Sequence, residues 1–295
     1  MRALIVTRHD YANVGWRIYS ALREFSGVDV RYWSSDPRGG YQYDIAGPAQ
    51  RAEADAIAGR ADVVHYIDGG HPALGGGLET DKPAVLSLNE SKWYDTTSTR
   101  MVREKWLAPV VGRAKITSLT PFMDLGIVAH EYVPQPLDVR AFVPVEHESR
   151  SPLVVGHFPS GGRFALKGTP EIRRELEGWP GVSLRVVTNQ PQADALALKR
   201  GCDVVVDQLK LGTYGYNTLE AAAFGIPVLC YVKKVRAPII GVRPDGKGLR
   251  EATHMLRDPV QRKRYGDALR TWVEAEHSYP AVAKRWERIY GEVVA

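Results

Sequence analysis

Short runs of β-branched and aliphatic residues alternate with helical patterns along the whole chain, and that alternation restricts the fold class more than any other feature. In the first half the strands read Ala3–Thr7, Val28–Trp33, Asp62–Tyr66, Ala84–Leu88, Lys115–Leu119 and Ile127–Val133, with helical patterns at about 14–25, 48–58 and 97–112. The second half repeats the scheme. Its strands are Leu153–His157, Val182–Thr188, Asp203–Asp207 and Pro227–Tyr231, and its helices lie near 169–178, 192–201 and 214–224. Two more helices, about 259–276 and 280–293, close the chain. Strands that are apolar throughout and separated by helices belong in a parallel sheet covered on both faces. The expected class is α/β, doubly wound.

A length of 295 residues suits two such domains at roughly 150 residues each. The stretch from Val133 to Pro152 is rich in proline and charge and carries little periodicity, so it reads as the boundary. The expected organisation is a domain over 1–140, a second over 141–278 and a final helix over 279–295. Doubly wound domains joined this way place ligands in the cleft between them, at the carboxyl ends of the strands.

Composition narrows the classes further. With 44% hydrophobic and 25% charged residues, the chain is neither disordered nor collagen-like nor fibrous. No stretch approaches the ~20 apolar residues of a membrane-spanning helix. The opening Met1–Asp10 has too short an apolar run for a secretory signal and reads as a buried strand. Cys202 and Cys230 both fall at predicted strands, which points to two reduced core thiols and a cytoplasmic protein. The net charge of +5 is mild but clustered: residues 92–115 carry +4 and residues 233–250 carry +5. Such stretches suit nucleotide phosphates, nucleic acid or an anionic membrane surface, and equally the solvated faces of a basic protein.

The segment with the most chemical content is Asp203–Val228. It runs from a strand through a loop containing Gly212, Thr213, Tyr214 and Gly215 into a helix, then through Gly225-Ile226-Pro227 into the next strand. Glycines that open a helix present backbone N–H groups beside the positive end of its dipole, a place for a diphosphate. Glu220, one and a half turns into that helix, is placed to accept hydrogen bonds from a ribose diol; the alternative is a surface glutamate. Upstream, Lys167 sits in a Lys-Gly-Thr turn before a helix, with Arg163 four residues earlier. As fixed cations these two would stabilise a departing diphosphate. There is no Asp-Xaa-Asp motif and no metal-spaced His/Cys cluster, so metal-independent chemistry without a cofactor is expected.

Gly212-Thr-Tyr-Gly215 followed by Leu219-Glu220-Ala-Ala-Ala-Phe-Gly225-Ile-Pro227-Val228 resembles the donor-binding signature of GT-B-fold retaining glycosyltransferases, the group related to glycogen and sucrose synthases. Leu153–Thr169 is similar to the opening strand and Lys-Gly turn of that family's C-terminal domain. Val133–Pro144 is similar to its interdomain segment, and Asp62-Val-Val-His65 to its N-domain strand ending in histidine. The resemblance implies two Rossmann-like domains facing a central cleft, with the C-terminal helix crossing back to the N-terminal domain. It implies transfer of a hexosyl or pentosyl group from a nucleoside-diphosphate sugar, most often a UDP-sugar, with retention. The donor would meet Gly15, His157, Lys167, Gly212, Thr213, Tyr214, Gly215 and Glu220.

The chain departs from the pattern at three places. Gly212 stands where the family has a second glutamate, His157 where it has an arginine, and Asn89 where it often has a histidine near the acceptor. Arg163 is then the substitute for the missing arginine. On the N-terminal side, Asn13-Val14-Gly15-Trp16 is either a phosphate-facing loop or a plain strand-to-helix connection. His65 ends the third strand, as an orienting or catalytic group or as a structural histidine, and Asp68 and Asn89 are acceptor-binding candidates. Val282, Trp286, Ile289 and Tyr290 share one face of the last helix, as a clamp would. Three functions remain: a glycosyltransferase with a saccharide, lipid-linked or small-molecule acceptor; one that modifies DNA, through the basic stretches 92–115 and 233–250; and a non-catalytic relative that binds nucleotide sugar or glycan.

Overall fold

The computed structural model describes residues 1–37, 42–74, 78–89, 107–121, 130–160, 162–233 and 237–295. The expected helix at 97–112 and the start of the strand at 127–133 fall largely outside them. The chain forms two compact units, Met1–Asp138 with His277–Ala295, and Val139–Glu276.

The first unit holds a seven-stranded sheet of β1 (Arg2–Thr7), β2 (Asp29–Ser34), β3 (Ile45–Ala46), β4 (Val63–Ile67), β5 (Ala84–Leu88), β6 (Lys115–Ser118) and β7 (Glu131–Tyr132). Its order is β3-β2-β1-β4-β5-β6-β7 and every pairing is parallel. β4 and β5 are buried at every position, which is why they read as unbroken apolar runs. The period of two divides the faces. Leu4, Val6, Val64, Tyr66 and Leu86 pack with Ala54 and Ala58 of α2 (Arg51–Arg60). The opposite face carries Ile5, His65 and Ser87, all fully buried. α1 (Val14–Phe25) packs against the last helix of the chain, Tyr279–Val294, where Ala21, Tyr279 and Ala283 form a small cluster. The expected stripe of Val282, Trp286, Ile289 and Tyr290 is completely buried, and the helix is part of the first unit.

The second unit contains β8 (Leu153–His157), β9 (Val182–Val186), β10 (Val204–Val206), β11 (Val228–Cys230) and β12 (Ile240–Gly241) in the order β12-β11-β10-β8-β9, again all parallel. Around it run α3 (Phe164–Lys167), α4 (Thr169–Leu176), α5 (Gln192–Arg200), α6 (Tyr216–Ala223), α7 (Leu249–Met255) and α8 (Pro259–His277). Both units are thus doubly wound, and each has one point where strand order reverses. That point lies between β1 and β4 in the first unit and between β8 and β10 in the second, and ligands of such sheets bind at the carboxyl ends there. The sequence had not marked β3, β12, α3 or α7, which are elements of two to seven residues. Cys202 and Cys230 are free and buried, as expected.

Close packing at the first reversal point rests on Gly70, where an added Cβ would stand 2.3 Å from the Val6 carbonyl oxygen. Gly59, in α2, has nothing within 4 Å. Gly70→Ala is therefore expected to cost about 3 kcal/mol through overpacking, while Gly59→Ala should stabilise by about 0.5 kcal/mol. Denaturant unfolding of the two variants checks the contrast.

Candidate functional site

Polar side chains gather at the carboxyl ends of β8 and β10, the reversal point of the second sheet. Asp207 follows β10 directly. Its Oδ2 accepts a hydrogen bond from the Gly215 N–H at 2.9 Å and one from the Thr218 hydroxyl at 2.8 Å, tying the loop before α6 to the strand. Its Oδ1 is buried without a hydrogen-bond partner among the described residues, and the Lys167 ammonium stands 3.8 Å away. Lys167 ends α3 and donates to Gln208 Oε1 at 2.6 Å, and Gln208 in turn donates to the Thr213 carbonyl at 2.5 Å. The turn that presents Lys167 depends on Gly168, which has φ +75° and whose added Cβ would meet Leu209 at 2.7 Å. Among the described residues the buried Thr213 hydroxyl has no hydrogen-bond partner.

Gly212 explains a departure noted in the sequence. It has φ +72°, and a Cβ there would lie 2.8 Å from three carbons of the Lys233 side chain. The Lys233 N–H donates to the Gly212 carbonyl at 3.0 Å. The lysine stem fills the space that a side chain at 212 would need. Lys233 therefore packs its side chain against this loop, as a second lysine of the segment besides Lys167.

Several expected donor contacts are placed otherwise. His157 has no exposed surface; its Nδ1 bonds the Val206 carbonyl and its Nε2 the Thr169 hydroxyl, each at 2.8 Å. With a carbonyl as partner, Nδ1 must carry the proton and Nε2 must accept. Burial pushes its pKa down to about 4, so it is a neutral core residue rather than a phosphate ligand. Tyr214 is buried against Trp272, ring centroids 5.2 Å apart, rather than turned to a ligand. The Gly215 amide is spent on Asp207, which leaves the first-turn amides of α6 as the dipole end. Glu220 is nearly buried and paired with Lys199. Arg163 is exposed and directly precedes α3.

In the first unit the corresponding place is already filled. Asp10 accepts hydrogen bonds from the Gly15 N–H at 2.8 Å, the Trp16 N–H at 3.0 Å and the Tyr32 hydroxyl at 2.8 Å. Its own carboxylate sits on the start of α1, so Gly15 is no phosphate ligand. Gly15 is needed for packing instead, since a Cβ would lie 2.8 Å from Thr7 and 2.9 Å from Tyr32. His65 is likewise corrected to a core residue. Its Nδ1 pairs with the Tyr290 hydroxyl at 2.7 Å and its Nε2 with Ser87 Oγ at 2.6 Å, and burial pushes its pKa down to about 3. The register that aligns His65, Ser87 and Thr117 on one face causes this: a polar line on neighbouring strands bonds to itself and to the last helix.

Asp68 and Asn89 are brought together. Asp68, at φ +46°, accepts the Asn89 N–H at 2.8 Å, and Asn89 Oδ1 accepts from Gln135 Nε2 at 2.5 Å. Gln135, whose buried Oε1 has no hydrogen-bond partner among the described residues, was not singled out in the sequence. Nor were Asp207, Gln208, Lys199 and Lys233 as individual ligands, although polar residues directly after the apolar run Val204–Val206 are a legible sign. Among the described residues no three His, Cys, Asp or Glu side chains group as a metal site, and no helix is long and apolar enough to cross a membrane.

No protein-family model and no curated protein matches the chain. Solved structures do, and they give it the GT-B fold. An α-glucosyltransferase in complex with UDP and a 13-mer DNA containing an HMU base is 11% identical, with 99% of each chain covered and a TM-score of 0.71. Sucrose-phosphate synthase from Thermosynechococcus elongatus is 14% identical over 99% of this chain and 98% of that one, with a TM-score of 0.68. HepE from Anabaena, in complex with UDP, is 11% identical over 99% and 100%, with a TM-score of 0.67.

His65, His157 and His277 are all buried with pKa values held at about 3, 4 and 4. In the unfolded chain each titrates near 6.5, so below that pH the unfolded state binds more protons and stability falls as the pH drops toward 4. At pH 5 the loss amounts to about 2 kcal/mol per histidine by linkage. Melting temperatures measured from pH 7.5 to pH 5 should fall steeply, and a flat profile would contradict the neutral, buried assignment.

Proposed function

We propose that the chain is a retaining glycosyltransferase that takes a hexosyl or pentosyl group from a nucleoside-diphosphate sugar, in the first instance a UDP-sugar. The observation that carries this reading is the frame that Asp207 and Gln208 build around Lys167, the Thr213 carbonyl and the start of α6, at the reversal point of the second sheet, with the Lys233 stem packed against Gly212. Two lysines against the single Asp207 carboxylate leave a local positive charge that suits a diphosphate. In the transfer the bond from the sugar C1 to the diphosphate oxygen breaks and its electron pair stays on the diphosphate. The acceptor oxygen bonds to C1, and its proton passes to the departing diphosphate oxygen. Lys167, fixed by Gln208, stabilises the charge that develops on the leaving group at little reorganisation cost. The lysines supply this without a metal. The acceptor is assigned to the first unit, where Asp68, Asn89 and Gln135 cluster after β4 and β5. A cytoplasmic setting fits the two free core thiols.

Calorimetry with UDP and a panel of sugar donors, with UDP release followed in parallel, tests the reading. Lys167→Ala is expected to weaken UDP binding by about 10- to 100-fold, as loss of a charge-assisted contact does, and a chelator should change neither binding nor turnover. Unaltered affinity in Lys167→Ala would refute it. Binding without release from any donor would identify a non-catalytic relative.

A second reading, with DNA as acceptor, is favoured by the structural likeness to the α-glucosyltransferase solved with DNA. The charge of the basic stretches is partly spent. Arg243 and Lys247 pair with Asp245, Arg250 with Glu175, and Lys115 with Glu131 and Glu292, while 92–106 and 234–236 lie outside the described residues. On this reading duplex binding should weaken with a log–log salt slope of about −0.9 per phosphate contact. Absent or salt-insensitive binding excludes it.

A further inference from the structure

Lys167 faces two oxygens of different kinds, and they divide the work. Gln208 Oε1, a neutral acceptor, takes its hydrogen bond at 2.6 Å. Asp207 Oδ1 stands 3.8 Å away, beyond hydrogen-bond range, so it contributes charge rather than direction. The Gln208 amide has its own anchor: Nε2 donates to the Thr213 carbonyl at 2.5 Å, which turns Oε1 toward the lysine. Gln208 therefore aims the ammonium whether or not Asp207 carries a charge.

The Asp207 side chain has no exposed surface, while Lys167 keeps 13% of its own. The carboxylate is the inner end of the pair and the ammonium the outer end. Both lie close to Gly215, where an added Cβ would stand 3.8 Å from Asp207 Oδ2 and 4.0 Å from Lys167 Nζ. A group arriving beside this glycine feels both charges. Burying a carboxylate is costly. Its bonds from the Gly215 amide and the Thr218 hydroxyl do not require the charge, because the oxygen of a neutral amide accepts the same two. The negative charge of Asp207 thus acts on Lys167 and on whatever Lys167 holds.

We propose that Asp207 competes with the diphosphate of the bound nucleotide for the Lys167 ammonium, and so speeds release of the nucleoside diphosphate after transfer. The proposal rests on the nucleotide-sugar reading above. Asp207 touches no substrate in it and acts through Lys167. With nucleotide bound, the ammonium is shared between a fixed carboxylate and a diphosphate that can leave. As the product departs, Asp207 takes back the whole of the lysine charge, and no cation is stranded. Release of product limits turnover in many enzymes, so a carboxylate that loosens the product raises the rate of the cycle.

The test is calorimetric binding of UDP and UMP to the full-length protein and its variants at pH 8, with UDP dissociation followed by surface plasmon resonance. Asp207→Asn keeps an oxygen for the Gly215 amide and the Thr218 hydroxyl and removes the charge. It is expected to bind UDP about threefold to tenfold more tightly, through slower dissociation. The preference for UDP over UMP should rise by about threefold, because the nucleotide with the greater charge gains more. A carboxylate that only holds the loop in place would weaken both nucleotides alike when altered, and an unchanged or lower preference overturns the proposal. Should Asp207→Asn fail to fold by circular dichroism, Gln208→Glu tests the same competition with the opposite sign, by setting a second carboxylate against the ammonium. It should lower the preference for UDP by about threefold, and a preference unmoved by it counts equally against the proposal. If the unaltered protein binds UDP and Asp207→Asn does not bind it more tightly, the role of Asp207 falls while the nucleotide reading stands. If the unaltered protein does not bind UDP, both fall.

Discussion

A carboxylate removed from water must find donors or a counter-ion, and the Asp207 side chain organises the second unit around that requirement. One of its oxygens takes the Gly215 amide and the Thr218 hydroxyl, which sets where α6 begins. The other faces the Lys167 ammonium, which sets where the turn after β8 must deliver a cation. Gln208, the next residue, completes the frame by joining Lys167 to the Thr213 carbonyl. The glycines of this loop serve the frame as well: Gly168 lets the lysine turn back over Leu209, and Gly212 makes room for the stem of Lys233.

The first unit uses the same device with a different result. Asp10, after β1, also takes the amide of a glycine at the start of a helix, but it adds the next amide and the Tyr32 hydroxyl. That carboxylate is itself the anion at the helix start, and burial raises its pKa despite three hydrogen bonds. A phosphate arriving there would meet a negative charge already in place. Two sheets of one architecture thus differ in how an aspartate is neutralised, by amides and a phenol in one and by an amide, a hydroxyl and a lysine in the other.

The fold was legible because its signal is long-range and redundant. Runs such as Val63–Ile67 and Val204–Val206 are apolar throughout, as a sheet covered on both faces requires, and helices of eight or more residues carry their own periodicity. What escaped was short: β3 and β12 have two residues each and pair only because a neighbouring strand is present. The site was legible as a segment but not as roles. Lys167 and Thr213, singled out in the sequence, are joined through Gln208. Yet His65 and His157 look like ligands in a sequence that cannot reveal Ser87, Tyr290, Val206 or Thr169 beside them. Lys199 ends an ordinary helix and Gly212 looks like a lost glutamate, until its φ of +72° and the Lys233 stem are seen together. Side-chain partners come from distant strands and helices, and no local pattern records them.

The account stands on the claim that the second unit holds a nucleoside diphosphate at the end of β10. A crystal structure with UDP bound tests this most directly. The expected result is diphosphate density within hydrogen-bond reach of the Lys167 ammonium and the loop 212–215, with the ribose beside Glu220. Diphosphate density elsewhere, with Lys167 still bound only to Gln208 and Asp207, would contradict it.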